Sequence, residues 1–209
     1  MEQKGILIVV SGFAGTGKGT LMKELLQRHP EQYALSVSMT TRSPRPGEQE
    51  GVEYFFTDTE AFEREIEAGG LIEYACYCDH YYGTPRAYVN RQLSAGKDVI
   101  LEIEVQGALQ VKEKFPNTVL LFVVPPSAQT LYDRLKGRGT ESGEVIAARM
   151  KRALEECAYI PQYDYILIND ELSVCVEQMH HIIQSEKFAA VRNAAFIENI
   201  YCDLRNLSV

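Results

Sequence analysis

A lysine set behind glycines is the residue group with the plainest chemistry in this chain. In Gly12-Phe13-Ala14-Gly15-Thr16-Gly17-Lys18-Gly19-Thr20, three glycines precede the lysine and a hydroxyl follows it two places later. Glycines let a backbone turn tightly and aim its N–H groups inward, and a helix that starts there adds partial positive charge. The stretch is therefore a cradle for phosphate oxygens. A second cationic group is Arg42 and Arg45, set in a segment that also holds Pro44 and Pro46. Guanidinium forks match phosphate oxygens two at a time, so this segment reads either as a second phosphate site or as a solvated basic loop. A third group is acidic. Glu102 and Glu104 stand two apart in an apolar run, which places both on one face if the run is a strand.

These groups need elements to hold them. Ile6 to Ser11 is apolar or small throughout, as in a strand covered on both faces, and after Lys18 the apolar Leu21, Met22, Leu25 and Leu26 fall at helical spacing. Strand, glycine loop, lysine and helix thus come in the order of the P-loop motif, in which the lysine reaches the outer phosphates of a nucleoside triphosphate. One place departs from that motif. The hydroxyl that holds Mg²⁺ usually follows the lysine directly, whereas here Gly19 takes that place and Thr20 carries the hydroxyl.

Tyr33 to Ser38 reads as a second strand, and the prolines after it exclude a helix interior or central strand. Residues 51–84 alternate short extended pieces, Glu53–Phe56 and Leu71–Cys76, with one helix from about Glu60 to Ala68 that ends at Gly69-Gly70. This differs from the βα pattern on either side and marks an inserted, partly antiparallel subdomain. It contains Tyr54, Glu73, Tyr81, Tyr82 and Thr84; the plainer readings are half-buried tyrosines, a solvated glutamate and a Thr84-Pro85 helix start.

The parallel pattern resumes with a strand over Asp98–Val105, where Glu102 and Glu104 are expected at the C-terminal end, the end at which α/β sheets bind ligands. Val119–Val124 is a further strand, and Ser127 caps a helix leading into the basic, glycine-punctuated Arg134–Thr140. The next helix carries an apolar stripe of Val145, Ile146, Met150, Ala153 and Leu154, with Arg149, Lys151 and Arg152 left for solvent or ligand. Asp164–Asn169 is the last strand. Leu172, Val176, Met179, Ile183 and Phe188 are packing candidates in a C-terminal helical region, and the residues beyond about 187 either wrap the core or mediate self-association.

Composition bounds the function. The chain has 209 residues and a net charge of −8, which suits one globular domain and argues against a nucleic-acid polymer as partner. No apolar run reaches the length of a membrane span and the N-terminus lacks a leader pattern. The five cysteines, Cys76, Cys78, Cys157, Cys175 and Cys202, form neither a disulfide framework nor a zinc pattern. A cytoplasmic protein with reduced thiols is expected.

With these groups in place, the sequence closely resembles guanylate kinases over nearly its whole length. The resemblance is carried by Gly12–Thr20, Ser36–Glu48, Ile72–Ala75, Tyr81–Gly83, Glu102–Gly107 and Arg134–Thr140. It implies a P-loop α/β fold, with a parallel sheet flanked by helices, a core at 1–36 and 96–209, a GMP-binding insert at about 37–90 and a helical lid at about 134–152. It implies transfer of the γ-phosphoryl group of ATP to GMP, with dGMP as a further acceptor, and Mg²⁺ as cofactor. By position, Gly12 to Thr20 and Asn169 would bind ATP. Lys18, Arg134, Arg138 and Arg149 would carry the catalytic charge. Arg42, Arg45, Tyr54 and Tyr82 would hold the GMP phosphate, and Ser38, Glu73, Thr84 and Glu104 would surround guanine. Thr20 and Glu102 are the metal candidates. Two places depart from the family pattern: Glu104 is often Asp there, and Phe13-Ala14 is often Pro-Ser. The competing expectations are a catalytically silent protein-interaction module of the same fold and a kinase for another nucleoside monophosphate; a homo-oligomer is an assembled form compatible with any of these.

Overall fold

The structure is a computed structural model that describes residues 4–77, 79–137 and 142–207. Arg138, expected in the lid, and Cys78 lie outside the described residues. In chain order the elements are β1 (Leu7–Gly12), α1 (Lys18–Arg28), β2 (Tyr33–Leu35), β3 (Ser38–Thr40), β4 (Tyr54–Phe56), α2 (Thr59–Glu67), β5 (Leu71–Tyr77), β6 (His80–Pro85), α3 (Arg86–Ser94) and β7 (Asp98–Glu102). Then follow α4 (Val105–Lys114), β8 (Val119–Val124), α5 (Ala128–Gly137), α6 (Gly143–Cys157), β9 (Tyr165–Ile168), α7 (Leu172–Glu186) and α8 (Ala194–Leu207).

Two sheets result. The first has the order β2-β7-β1-β8-β9, and its neighbours pair in parallel. Alternation along its strands feeds two faces. Ile8, Val10, Ile100, Leu121 and Val123 meet α1 and α7 residues such as Leu21, Leu25, Val176 and Met179, while Val9, Val99, Leu101 and Leu120 meet Val89, Ala108 and Val111 from α3 and α4. The second sheet has the order β4-β3-β6-β5. There β3 and β4 pair in parallel, and the pairs through β6 are antiparallel.

Several expectations shift. The strand anticipated over Tyr33–Ser38 breaks after Leu35, because β2 belongs to the first sheet and β3 to the second. The strand expected to reach Val105 stops at Glu102 and α4 begins at Val105, so Glu104 is the residue capping a helix, not a partner of Glu102 on one strand face. Thr84 lies within β6 and Pro85 takes the cap position of α3. In α6, Ile146 and Ala153 are buried, but Val145 and Leu154 are exposed; Phe188, expected to pack, is 84% exposed. Ser127 does cap α5, its hydroxyl accepting from Thr130 N at 3.0 Å.

Candidate active site

The glycine loop runs from the end of β1 into the first turn of α1. Gly17 adopts φ 86° at the N-cap of α1, a left-handed conformation that disfavours any side chain. A Cβ there would also meet the Asn169 amide nitrogen at 2.9 Å. Within the loop, the Thr16 hydroxyl donates to Phe13 O at 2.9 Å. Lys18 Nζ donates to Gly12 O at 2.6 Å and to Phe13 O at 3.1 Å. Phe13 does not face ligand. It is buried among Phe122, Leu131, Leu135 and Ile146, so the loop is rooted in the packing between β8, α5 and α6, with the Phe13 and Phe122 rings edge-to-face at 5.2 Å.

A cleft of about 790 Å³ opens over this loop, within the usual size of a small-molecule site. Gly12, Ala14, Gly15, Gly17, Lys18, Gly19 and Thr20 line it on one side. Ser38 and Tyr54 of the second sheet line it too, as do Glu102, Glu104 and Arg149. Arg152, one of the cations left for solvent or ligand by the apolar stripe of its helix, lines it as well, together with Glu156, which no motif singled out. Arg152 joins two of the cleft carboxylates, Nη2 meeting Glu104 at 2.7 Å and Nε meeting Glu156 at 2.9 Å. Solvent reaches Glu102 through the cleft mouth although protein surrounds the carboxyl on most sides. Burial raises its pKa; the Lys18 ammonium opposes the rise and Glu104 adds to it.

The arginine loop is brought to the same sheet. Arg42 Nη2 forms an ion pair with Glu48 at 2.8 Å, Nη1 donates to Ser43 O at 2.7 Å, and the guanidinium lies over the Tyr54 ring at 5.3 Å. Tyr54 and Tyr82 have ring centroids 6.0 Å apart. Arg42, Tyr54 and Tyr82 therefore form one cluster. Arg45 is exposed; its backbone N–H donates to the other Glu48 oxygen at 2.7 Å, which makes Glu48 the organiser of this loop. The Arg42 hydrogen bond holds the Glu48 carboxyl below its ordinary range.

Glu73 and Thr84 form a buried pair between β5, β6 and α4. The Thr84 hydroxyl donates to Glu73 Oε1 at 2.6 Å, and a Cβ on Gly107 would stand 3.3 Å from Glu73 Oε2. Gly107 thus leaves room for the carboxylate, a role that only the packing of α4 on β5 makes visible. Desolvation raises the Glu73 pKa, with the Thr84 hydrogen bond and Lys114 opposing.

Arg134 and Asn169 sit away from the cleft lining. Arg134 Nη1 donates to Asn169 O at 2.8 Å, and the Asn169 side chain donates to Thr16 O at 2.7 Å. Among the described residues no group of three or more His, Cys, Asp or Glu side chains is arranged to hold a metal ion.

A parallel five-stranded sheet with a glycine-rich loop at the end of β1, a lysine at the start of α1 and a second sheet reaching over the same cleft defines a P-loop phosphotransferase with two facing substrate surfaces. The guanylate kinase family model matches residues 4–186. Guanylate kinase of Streptococcus thermophilus (strain CNRZ 1066) is 49% identical over 205 residues, covering 98% of each chain. That of Streptococcus mutans serotype c is 52% identical over 192 residues, or 92% of this chain and 91% of the relative. In three dimensions, the crystal structure of guanylate kinase from Anaplasma phagocytophilum aligns with a TM-score of 0.71 at 30% identity over 91% of this chain and 90% of that one. The chain belongs to the guanylate kinase family.

Proposed function

We infer that this protein transfers the γ-phosphoryl group of ATP to GMP, yielding ADP and GDP. The observation that carries the reading is a single cleft lined both by the Lys18 loop and by Ser38 and Tyr54 of the second sheet. Phosphoryl transfer between two nucleotides needs donor and acceptor held in line in one enclosed space, and little covalent work from the protein. The GMP phosphate is already a nucleophile, so no general base is assigned.

The residue roles proposed are those that position in the family implies, and the geometry supports them. The loop N–H groups and Lys18 take the triphosphate, with Arg149 at the cleft wall adding positive charge as charge builds on the moving group. Arg42, Tyr54 and Tyr82 take the GMP phosphate, with Arg45 at its exposed rim. Glu73, oriented by Thr84, accepts from N1–H and the 2-amino group of guanine, two adjacent donors that adenine lacks. AMP would leave that buried carboxylate unpaired, a deficit worth about 10⁴-fold in sites built on such hydrogen bonds. Glu104, held by Arg152, stands at the cleft rather than in a guanine pocket; its reach to the base requires that ion pair to open. Thr20 and Glu102 offer hard oxygen donors suited to Mg²⁺, which would neutralise phosphate charge when bound with ATP. The helices α5 and α6 and the second sheet close over the substrates to exclude water.

A second copy of the chain is the proposed assembly partner. No residue of α8 is buried, and Ile197, Ile200, Leu204 and Leu207, each at least 45% exposed, recur at the alternating three- and four-residue spacing of a helix–helix seam. Light scattering of the chain with and without residues after Asn193 tests this. The location proposed is the cytoplasm, in keeping with free thiols at Cys76, Cys157, Cys175 and Cys202; no helix among the described residues is long and apolar enough to cross a membrane.

One coupled assay tests the function. ATP is offered with GMP, dGMP, AMP or UMP, and Lys18→Ala serves as control. Turnover is expected with GMP and dGMP, with a fall of about 10²–10³ in kcat for the control. No turnover with GMP, or equal turnover with AMP, overturns the reading and leaves the silent-module or other-acceptor alternatives.

A further inference from the structure

Asn169 follows the last strand of the parallel sheet and is 6% exposed. Its backbone is fixed on both sides, the N–H donating to Val124 O at 2.9 Å and the carbonyl accepting from Arg134 Nη1 at 2.8 Å. From that rigid mount the side-chain amide donates to Thr16 O at 2.7 Å, a buried contact across 153 residues of sequence. The nitrogen sits where a Cβ on Gly17 would come within 2.9 Å. The amide therefore fills the space that Gly17 leaves open.

The consequence lies in peptide geometry. A trans peptide is planar, with its C=O and N–H pointing to opposite sides. Drawing Thr16 O toward Asn169 turns the Gly17 N–H the other way, and Gly17 is a residue of the cleft wall. The Thr16 N–H and hydroxyl are both spent on Phe13 O, at 3.3 and 2.9 Å. Those contacts close the loop on itself, whereas the Thr16 carbonyl is held from outside the loop. We propose that Asn169 is a positioning residue for the triphosphate site, setting the Thr16–Gly17 peptide so that the cradle's N–H groups face the phosphates before the nucleotide arrives. It acts on the phosphates through the loop, a role separate from any contact with the adenine ring. The inference rests on the assignment of the Gly12–Thr20 loop to the triphosphate.

Inorganic tripolyphosphate is the discriminating probe because it has no base. Calorimetric titrations compare tripolyphosphate, ATP and GMP on the wild-type protein, Asn169→Asp and Asn169→Ala. Asn169→Asp keeps the shape and removes the donor; Asn169→Ala removes the group without introducing charge. Both variants are expected to lose tripolyphosphate and ATP affinity by the same factor, about tenfold, while GMP affinity stays within about twofold. In steady state, KM for ATP rises and KM for GMP does not. Loss of ATP affinity with tripolyphosphate binding intact would overturn the proposal in favour of a base contact. A parallel loss of all three ligands with a lower Tm would reduce Asn169 to a structural residue, and unchanged binding of all three would remove its role. Wild-type protein that turns over GMP yet ignores tripolyphosphate would refute the loop assignment itself, a failure distinct from that of Asn169.

Discussion

The two halves of the cleft hold their cations in different ways. On the donor side Lys18 rests on neutral carbonyls, Gly12 O and Phe13 O, and the loop around it is fixed by backbone turns, by Phe13 in the core and by one amide from Asn169. On the acceptor side Arg42 rests on a carboxylate, Glu48, and on aromatic faces, while Glu73, proposed to read the base, is buried and ionisable. The donor loop itself is shaped by sterics and short-range hydrogen bonds, with Glu102 adding a charge interaction with Lys18 from the cleft wall. The acceptor half is shaped by charge. Ionic strength and pH should therefore act first on the acceptor half, since salt screens charge–charge contacts and leaves backbone turns untouched.

The largest expected effect breaks the comparison at Glu73. Glu73→Gln keeps an oxygen for the Thr84 hydroxyl but replaces a charged acceptor by a neutral amide, and KM for GMP should rise about 10- to 100-fold while KM for ATP holds. Because burial raises the Glu73 pKa above its ordinary 4.5, the folded protein takes up this proton at higher pH than the unfolded chain does. Ionised Glu73 thus costs stability above that pH. Glu73→Gln should raise Tm, by about 2–4 °C for each roughly 1 kcal/mol of relieved burial. The same shift predicts an acid limb in the KM for GMP, with a midpoint above 4.5, that disappears in the variant. Equal loss of GMP and ATP, or a lower Tm, would make Glu73 a structural residue.

A smaller effect is expected at Glu48, whose two oxygens hold the Arg42 guanidinium and the Arg45 backbone. Glu48→Gln should raise KM for GMP about tenfold through misplacement of the phosphate clamp. That KM should also become less dependent on salt than in the wild type. A KM for GMP that falls instead would mean that Glu48 competes with substrate for Arg42 rather than positioning it.

The smallest effect lies outside the cleft, at the end of α1 away from Lys18. His29, just past the end of α1, stacks on His180 of α7 with centroids 4.0 Å apart. Tyr33 Oη lies 2.8 Å from His180 Nδ1, and Gln184 donates to the same phenol oxygen at 3.1 Å. Desolvation and then His29 lower the His180 pKa, with His181 and Lys187 acting the same way and Glu177 opposing. The unfolded chain therefore binds this proton first. Stability should be complete above the ordinary value of 6.5 and decline as pH falls from there toward the folded-state pKa. Urea midpoints against pH, compared with His180→Phe, measure it. A wild-type midpoint that rises on acidification would reverse the sign and refute the argument.

Much of this arrangement was legible in the chain. The loop from Gly12 to Thr20, its flanking strand and helix, and the arginine pair at 42 and 45 are local patterns, and local sterics decide local backbone. What the sequence misplaced depends on distant partners. Glu102 and Glu104 looked like one strand face because apolar residues continue through Val105, and α4 begins only because its buried Val105, Ala108 and Val111 find the sheet. Thr84 looked like a helix cap until β6 paired with β5 and brought its hydroxyl to Glu73, eleven residues away. Phe13 looked like a change in a ligand-facing loop and proved to be core.

The sequence by itself determined the phosphate cradle, because glycine, lysine and a helix start suffice to build one wherever they occur in that order. It also determined the alternation that gives the parallel sheet two apolar faces. Only the tertiary structure decided what braces the Gly12–Thr20 loop from outside and what surrounds Glu73. Asn169 reaches Thr16 and Gly107 makes room for Glu73 through packing between elements far apart in the chain, where neither periodicity nor spacing carries a signal.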